Sequence, residues 1–278
     1  MLWVEEHGPV IKFVAARPIL GRPYYHTAAY WVDGLFVDTG CAHTARELLQ
    51  ATAGLAVEQI VNTHSHEDHI GGNALLQQAR GARILAPREA LPILAEPRRQ
   101  YLQLYRRFFW GWPQPSHGEP LGEWVETREH RFRVIPTPGH TPHHVCLYEP
   151  EEGWLFSGDA YIGGQDRAGR LDYDVYAIIE SLRRLAALRP TWMFPGSGTV
   201  RSDPVAALER KVAQMEEMRA EVRRLHALGY GVGAIRRRLL GRESHITYLT
   251  LGHFRGSYLI RAYLRDQGCP EKRETSHP

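Results

Sequence analysis

The chain has 278 residues, 43% of them hydrophobic, which suits one α/β domain, alone or with a helical appendage. Its 34 lysine and arginine residues against 31 aspartate and glutamate residues give a formal charge of +3, which does not support a nucleic-acid partner. Cys41, Cys146 and Cys269 are widely spaced, so they favour neither a disulfide framework nor a thiolate zinc site. No signal-peptide pattern or apolar stretch of about 18 residues is present, and we expect a cytoplasmic protein without a membrane span.

The first half of the chain alternates predicted strands and helices. Residues 10–16, 28–32, 35–38, 58–62 and 82–86 have strand patterns, and Asp33-Gly34 favours a two-residue hairpin turn. Helices are predicted over residues 43–53, from about 68 to 79, and over most of 87–109. The aromatic tract 108–113 has the glycine and proline content of a loop, which either borders a substrate site or is a plain surface loop.

The second half repeats the alternation and then becomes helical. Strands are predicted near 131–135, 143–149, 153–157 and 192–195, with a helix at 173–189. Strands that alternate with helices twice over indicate a layered α/β sandwich with its helices outside. Beyond residue 202 the pattern predicts helices at 203–228, 231–241 and 254–266. We therefore divide the chain into a core domain, 1–202, and a helical extension, 203–278.

A cluster of metal-ligating residue types occupies residues 63–69, Thr-His-Ser-His-Glu-Asp-His. In an extended turn, side chains two residues apart point the same way, so His64 and His66 can bind one ion. Asp68 and His69, placed at the start of the following predicted helix, can face a second ion. Nitrogen and carboxylate ligands together favour zinc, iron or manganese over calcium or magnesium.

Two later motifs supply further ligands: His140 in Pro-Gly-His-Thr and Asp159 in Ser-Gly-Asp. In this order with the HxHxDH block, they resemble the metal motifs of the metallo-β-lactamase superfamily over about residues 25–200. The resemblance implies an α/β fold, a four-layer αββα sandwich, here followed by the C-terminal helical extension. It also implies a metallo-hydrolase.

The resemblance implies two neighbouring metal positions. It assigns His64, His66 and His140 to the first ion, Asp68 and His69 to the second, and Asp159 to both. Asp38 matches a position that usually supports the ligands without touching the metal, although a turn or capping aspartate is an equal alternative. His143 and His144 are given no ligand role.

The sequence departs from the family pattern at Ser197, where members commonly place a histidine that completes the second metal position. A hydroxyl is a much poorer zinc ligand than an imidazole. Four alternatives remain open. Two ions bind, with Ser197 or a water at the vacant position. The extension supplies His226, His245 or His253. The site holds one ion, as in the persulfide dioxygenases, where two histidines and an aspartate hold iron. Or the domain keeps the fold without activity.

These motifs predict a metal-dependent hydrolase that uses a metal-bound hydroxide on an ester, thioester, lactone or phosphodiester bond. Asp68 and Asp159 are the predicted catalytic residues, which orient the hydroxide and receive its proton. Zinc is the expected cofactor, as one or two ions, with iron or manganese as alternatives. The competing hypotheses are a mononuclear iron sulfur-oxygenase and a metal-binding fold that has lost catalysis.

The expected partner is a small-molecule substrate, with neither nucleic acid nor membrane. For residues 203–278 the interpretation is a lid, a homodimer contact through the helices, or a wall of the substrate pocket. The identity of the substrate is not predicted, because the same ligand motifs serve many reactions.

Overall fold

A computed structural model describes residues 1–19 and 21–265, so Cys269 and the end of the predicted extension lie outside the described residues. Seven strands form the first sheet in chain order: β1 Leu2–His7, β2 Val10–Ile19, β3 Arg22–Val32, β4 Leu35–Val37, β5 Gln59–Val61, β6 Arg83–Ala86 and β7 Gly118–Pro120. Pairing is antiparallel from β1 to β4 and parallel from β4 to β7. The predicted hairpin at Asp33-Gly34 connects β3 and β4.

The second sheet contains five strands in the order β12, β11, β10, β9, β8. Their bounds are β8 Trp124–Glu126, β9 Arg131–Pro136, β10 Val145–Glu149, β11 Trp154–Gly158 and β12 Trp192–Pro195. All neighbours are antiparallel except β11 and β12, which are parallel. A parallel pair requires a crossover, and the helix between β11 and β12 supplies it.

Nine α-helices complete the part of the chain that the structure describes. They are α1 Ala45–Ala51, α2 Asn73–Arg80, α3 Leu91–Ala95, α4 Leu104–Phe109, α5 Val175–Ala187, α6 Pro204–Ala227, α7 Val232–Leu240, α8 His245–Leu249 and α9 Gly256–Leu264. Within the same described ranges, no helix combines the length and apolar character needed to cross a bilayer.

Three buried apolar clusters order these elements into layers. The cluster between the sheets includes Tyr30 and Phe156. A second cluster joins the first sheet to α1 and α2 through Leu48 and Leu76. A third joins the second sheet to α5, α6, α7 and α9, and Leu182 of α5 is fully buried in it. The expected four-layer αββα sandwich with a C-terminal helical region is therefore confirmed.

The third cluster bears directly on the extension. Leu208 of α6 and Tyr263 of α9 are buried in the same cluster as Leu182 of α5. Residues 203–265 thus share a core with the sandwich, and the domain boundary at residue 202 remains a prediction.

Several predicted elements differ in the structure. Strands β1, β7 and β8 and helix α8 were not predicted, and the helix expected over 87–109 is divided into short pieces, three of which begin at or beside a proline. The helix expected from residue 68 begins only at Asn73. Gly71 and Gly72 lie against the backbone of residues 39–42, which fixes a turn instead of a first helical turn.

We expect Gly71→Ala to lower the free energy of unfolding by about 3 kcal/mol, the upper end of the range for overpacking. An added Cβ would lie 2.2 Å from the Ala42 nitrogen and 2.2 Å from the Cys41 carbonyl carbon, which are backbone atoms that cannot rotate away. Gly54→Ala is the matched control, because a Cβ there meets no atom within 4 Å. Equal denaturant midpoints for the two variants would contradict the close packing.

Candidate metal centre

The candidate site is built from loops that follow five strands. The turn of residues 62–72 follows β5, and His140 lies in the loop between β9 and β10. Asp159 comes directly after β11, Ser197 soon after β12, and Asp38 directly after β4. Both sheets therefore contribute to one site at an edge of the sandwich.

Four of the predicted ligands form one compact group. The Nε2 atom of His64 is 2.9 Å from Nδ1 of His66, which is 3.0 Å from Nε2 of His140. Nε2 of His140 is 3.3 Å from Oδ2 of Asp159, and one ligand atom from each of the four residues lies within 4.8 Å of the others. Two nitrogens on one tetrahedral zinc, each about 2.0–2.1 Å from it, are roughly 3.3 Å apart. The donor set fits a transition-metal ion.

The three histidines of this group have the protonation state that metal binding requires. Burial lowers the pKa of His64, His66 and His140 well below the usual value. The nearby guanidinium groups of Arg106 and Arg170 lower the pKa of His66 further. The imidazoles are therefore neutral near pH 7 and have a free nitrogen lone pair for an ion.

Asp38 stabilises the turn of residues 62–72 through its carboxylate. Its carboxylate accepts hydrogen bonds from the Thr63 backbone nitrogen and the Thr63 hydroxyl, both at 2.8 Å. Its Oδ2 is also 2.7 Å from Nδ1 of His69. This contact orients His69 so that Nε2 points to the other carboxylates of the site. Asp38 is buried and has a φ of 59°, in the left-handed region that aspartate tolerates better than most residues.

His69 and Asp68 lie beside the group of four. Nε2 of His69 is 3.5 Å from Oδ1 of Asp159 and 3.8 Å from Oδ2 of Asp68. Burial alone would lower the pKa of His69, but Asp38, Asp159 and Asp68 together raise it well above the usual value. Burial raises the pKa of Asp68 to about 7. For Asp159 the effect of burial is outweighed by His69 and His140, which lower its pKa.

The structure thus brings all six predicted ligands together, with one difference in local structure. Asp68 and His69 lie in the turn before α2, and not at the start of that helix as expected. The turn is held by tertiary hydrogen bonds: the Asp68 carbonyl accepts from the Thr27 hydroxyl at 2.8 Å, and the His69 carbonyl accepts from the Thr39 nitrogen at 2.8 Å.

Ser197 lies at the place that the family pattern gives to the last histidine. It is half-buried and borders the same cavity as Asp68, His69 and Asp159. The preceding residue, Gly196, approaches the ligands so closely that a Cβ would lie 2.5 Å from Oδ1 of Asp159. The turn after β12 therefore reaches the second position with a hydroxyl where an imidazole was expected.

The histidines of the extension do not join the ligand group. His226 is exposed on α6, and Nδ1 of His253 is 2.7 Å from the hydroxyl of Tyr105. His245 is exposed at the border of the cavity. Within residues 1–19 and 21–265, the group of close ligand atoms comprises His64, His66, His140 and Asp159 alone.

Two further residues surround the predicted ligands: Arg106, which sequence reasoning missed, and His144, which it considered and gave no ligand role. Arg106 of α4 donates from Nε to Oε1 of Glu67 at 2.6 Å and from Nη2 to Oε2, and both residues are buried. His144 accepts a hydrogen bond from the Asp159 backbone nitrogen at 3.1 Å, and burial lowers its pKa to about 3. These contacts join residues 39 and 15 positions apart, so local pattern gave no signal for them.

Arg170 was also missed, and it connects the helical extension to a predicted ligand. Its Nη2 donates to the backbone carbonyl of His140 at 2.8 Å. Its guanidinium carbon lies 4.7 Å from the ring centre of Tyr173 and 5.9 Å from that of Phe254. Backbone hydrogen bonds of 3.0 Å in both directions between Gly169 and Arg255 hold the two segments together.

A cavity of about 990 Å³ borders the ligands on one side and the extension on the other. Its lining includes His66, Asp68 and Asp159 as well as Ile246 and Leu249 of α8. This volume is at the upper end of the range for small-molecule sites. Residues of the extension therefore form part of the cavity wall, and which of the three expected roles the extension has remains a prediction.

Comparisons with known proteins agree with this architecture. A family model described as the metallo-beta-lactamase superfamily matches residues 27–197. A hydroxyacylglutathione hydrolase of Maricaulis maris is 36% identical over 137 residues, which is 49% of this chain and 46% of that protein. A beta-lactamase-like protein 2 homolog of Drosophila melanogaster is 29% identical over 184 residues, 63% of this chain and 58% of that protein. The chain spans about half the length of the curated relatives that it matches.

Solved structures extend the similarity of fold to the helical region. A metallo-beta-lactamase family protein of Thermus thermophilus has a TM-score of 0.63 at 22% identity and covers 92% of this chain and 91% of its own. A beta-lactamase domain protein of Burkholderia ambifaria has a TM-score of 0.67 at 19% identity and covers 94% of this chain and 87% of its own. At these identities the likeness shows the fold alone.

We expect Arg170→Met to weaken metal binding about 10-fold to 100-fold, the usual cost of removing a residue that orients a ligand. The variant loses the hydrogen bond to the His140 carbonyl but keeps most of the side-chain volume. Competition with a chromophoric chelator for Zn²⁺ or Co²⁺ measures the affinity.

Arg184→Met is the matched control, since Arg184 is exposed and also donates to a backbone carbonyl, that of Pro136, at 3.1 Å. If both variants retain the parent affinity, Arg170 does not position His140.

Proposed function

The chain belongs to the metallo-β-lactamase superfamily as a metal-dependent hydrolase, and we propose that its reaction is the hydrolysis of an acyl thioester. The observation that carries this proposal is the group of His64, His66, His140 and Asp159, of which the last three border a cavity of about 990 Å³. Relatives named hydroxyacylglutathione hydrolase, at 36% and 32% identity, support a thioester as the bond that is cleaved.

The ligand group would hold the first ion, and Asp68, His69 and Asp159 would face a second. An ion bound there supplies a Lewis acid that polarises a carbonyl group and makes water acidic enough to attack at neutral pH. We assign proton transfer to the carboxylate of Asp68, whose side chain is 20% exposed and borders the cavity. Asp159, equally exposed, would orient the nucleophile, and its Oδ1 is 3.5 Å from Nε2 of His69.

Thioester chemistry suits the surroundings of the ligands. A thiol has a pKa of about 8.5, so the sulfur can depart as a thiolate with little help from an acid. The aromatic side chains of Tyr25 and Trp110 border the cavity on the side of the core and limit the access of water to the reacting carbonyl. Phosphodiester hydrolysis would require a path for a charged backbone, and we do not propose it.

A second candidate is the mononuclear iron sulfur-oxygenase, and one observation favours it. Ser197 offers a hydroxyl at the second position, and none of His226, His245 or His253 belongs to the ligand group. The two candidates differ in metal identity and in oxygen consumption, so measuring both quantities on one purified preparation distinguishes them.

We expect the protein to release thiol from acyl thioesters, and His140→Ala and Asp159→Ala to lower kcat/KM by at least about a hundredfold. Each substitution removes a predicted ligand, which should cost more than removing a residue that only orients one. Thiol release is followed with a disulfide reagent, before and after chelation and on re-addition of Zn²⁺, Mn²⁺ or Fe²⁺.

His226→Ala is the control, because His226 is exposed on α6 and is not among the residues that border the cavity. Activity that survives both the chelator and His140→Ala would contradict a metal-dependent reaction.

We expect the parent protein to keep one equivalent of zinc after dialysis against a weak chelator, and Ser197→His to keep two. An imidazole is the better zinc ligand, so the histidine should complete the second position. Ser202→His, at an exposed position outside the cavity, controls for added surface histidine. Two tightly held equivalents in the parent would mean that the hydroxyl or a water suffices, and one iron with oxygen uptake would favour the oxygenase.

A further inference from the structure

The cavity has an apolar part in addition to its charged lining. Six apolar side chains of the lining form it: Met215, Ile246, Leu249, Phe254 and Leu259 from the extension and Ile162 from the core. Leu249 remains 41% exposed and Ile162 40% exposed, although both are large hydrophobic side chains. Apolar surface of this kind, continuous with a reaction centre, binds an apolar part of a ligand.

Two of the charged side chains of this wall, Lys211 and Glu243, have partners inside the protein. Nζ of Lys211 lies 2.8 Å from Oδ1 of Asp166 and donates to the Gly164 carbonyl at 3.0 Å. The Glu243 carboxylate accepts from the Thr247 hydroxyl at 3.1 Å and from the Gly256 nitrogen at 3.0 Å. A ligand that relied on these charges would have to break existing contacts.

Arg170 and Arg167 also have partners inside the protein. Nε of Arg170 is 2.9 Å from Oδ1 of Asp172, in addition to the bond to the His140 carbonyl. Nη2 of Arg167 donates to the Leu240 carbonyl at 2.9 Å. A carrier such as glutathione has two carboxylates that need cationic partners, and Arg242 is the cation of this wall that has no partner among the described residues. An uncharged chain needs none.

We propose that the wall formed by α8, Phe254 and Ile162 is an acyl subsite that binds a medium-length, unbranched apolar acyl chain of the substrate. This inference rests on the proposed thioester hydrolysis, because the chain would extend outward from a carbonyl held at the ligand group. A two- or three-carbon acyl group would leave most of the 990 Å³ to water, roughly thirty molecules at the liquid volume. An acyl chain displaces that water from apolar surface, which is favourable.

The test uses acetyl, butyryl, hexanoyl and octanoyl thioesters of N-acetylcysteamine, which share one uncharged thiol. We expect kcat/KM to rise about fourfold for each methylene that is fully buried. In Leu249→Gln the ratio of kcat/KM for octanoyl to that for acetyl should fall about tenfold. Leu249 is exposed on a surface helix, so the substitution should leave the fold intact.

Leu251→Gln is the matched control. Leu251 is two residues away, is 75% exposed and is not among the residues that border the cavity, so the ratio should equal that of the parent. Hydrolysis without any dependence on chain length, or the same loss of the ratio in both variants, would overturn the acyl subsite and leave thioester hydrolysis standing.

Equilibrium binding separates this inference from the proposed function. The probe is the octanoyl amide analogue, in which nitrogen replaces the thioester sulfur, titrated by calorimetry against the metal-loaded protein. If no thioester is hydrolysed but the amide binds and Leu249→Gln weakens it about tenfold, the function fails and the subsite stands. If the amide does not bind to the parent, the subsite is overturned.

Discussion

The buried carboxylate of Asp38 connects the beginning and the end of the segment from Thr63 to His69, which contains four of the predicted ligands. Asp38 accepts two hydrogen bonds from Thr63, next to the first histidine, and contacts Nδ1 of His69 at the far end of the turn. Burying a carboxylate without partners costs several kcal/mol, so breaking any of these contacts is unfavourable. The turn between Thr63 and His69 is therefore held in shape by protein groups, and the ligand atoms are close together before an ion arrives.

The helical extension has a structural part in the same site. It packs against α5 in a shared apolar cluster, and Phe254 stacks near the guanidinium of Arg170, which donates to the His140 carbonyl. We therefore expect a structural change in the extension to alter the position of the predicted ligand His140 as well as the cavity wall. Because one segment contacts both, we expect substrate binding and the position of His140 to be coupled.

The predicted ligands and the order of the layers could be inferred from the sequence because both produce short local patterns. Residues 63–69 contain four predicted ligands in one turn, and the alternation of strands and helices predicts the sandwich. The beginning of α2 at Asn73 was not predictable, since Gly71 is held by the Gly40 carbonyl at 2.8 Å, a contact outside any local pattern. The contact of Arg106 was not predictable for the same reason, because its partner Glu67 is 39 residues away. Strands β7 and β8 have three residues each and bury few of them, whereas the equally short β4 and β5 are largely buried and apolar enough to be predicted.

The buried pair of Glu67 and Arg106 bears on how the pocket keeps its shape. A buried ion pair is seldom more stable than well-packed apolar side chains, so its presence beside His66 calls for another reason. The pair joins the turn of residues 62–72 to α4. Tyr105, which precedes Arg106 in that helix, contacts His253 of the extension. An apolar contact could slide along α4, whereas two hydrogen bonds between planar groups allow a single register. The pair therefore fixes the position of α4 relative to the turn of residues 62–72, and the contact of Tyr105 with His253 joins the extension to the same helix.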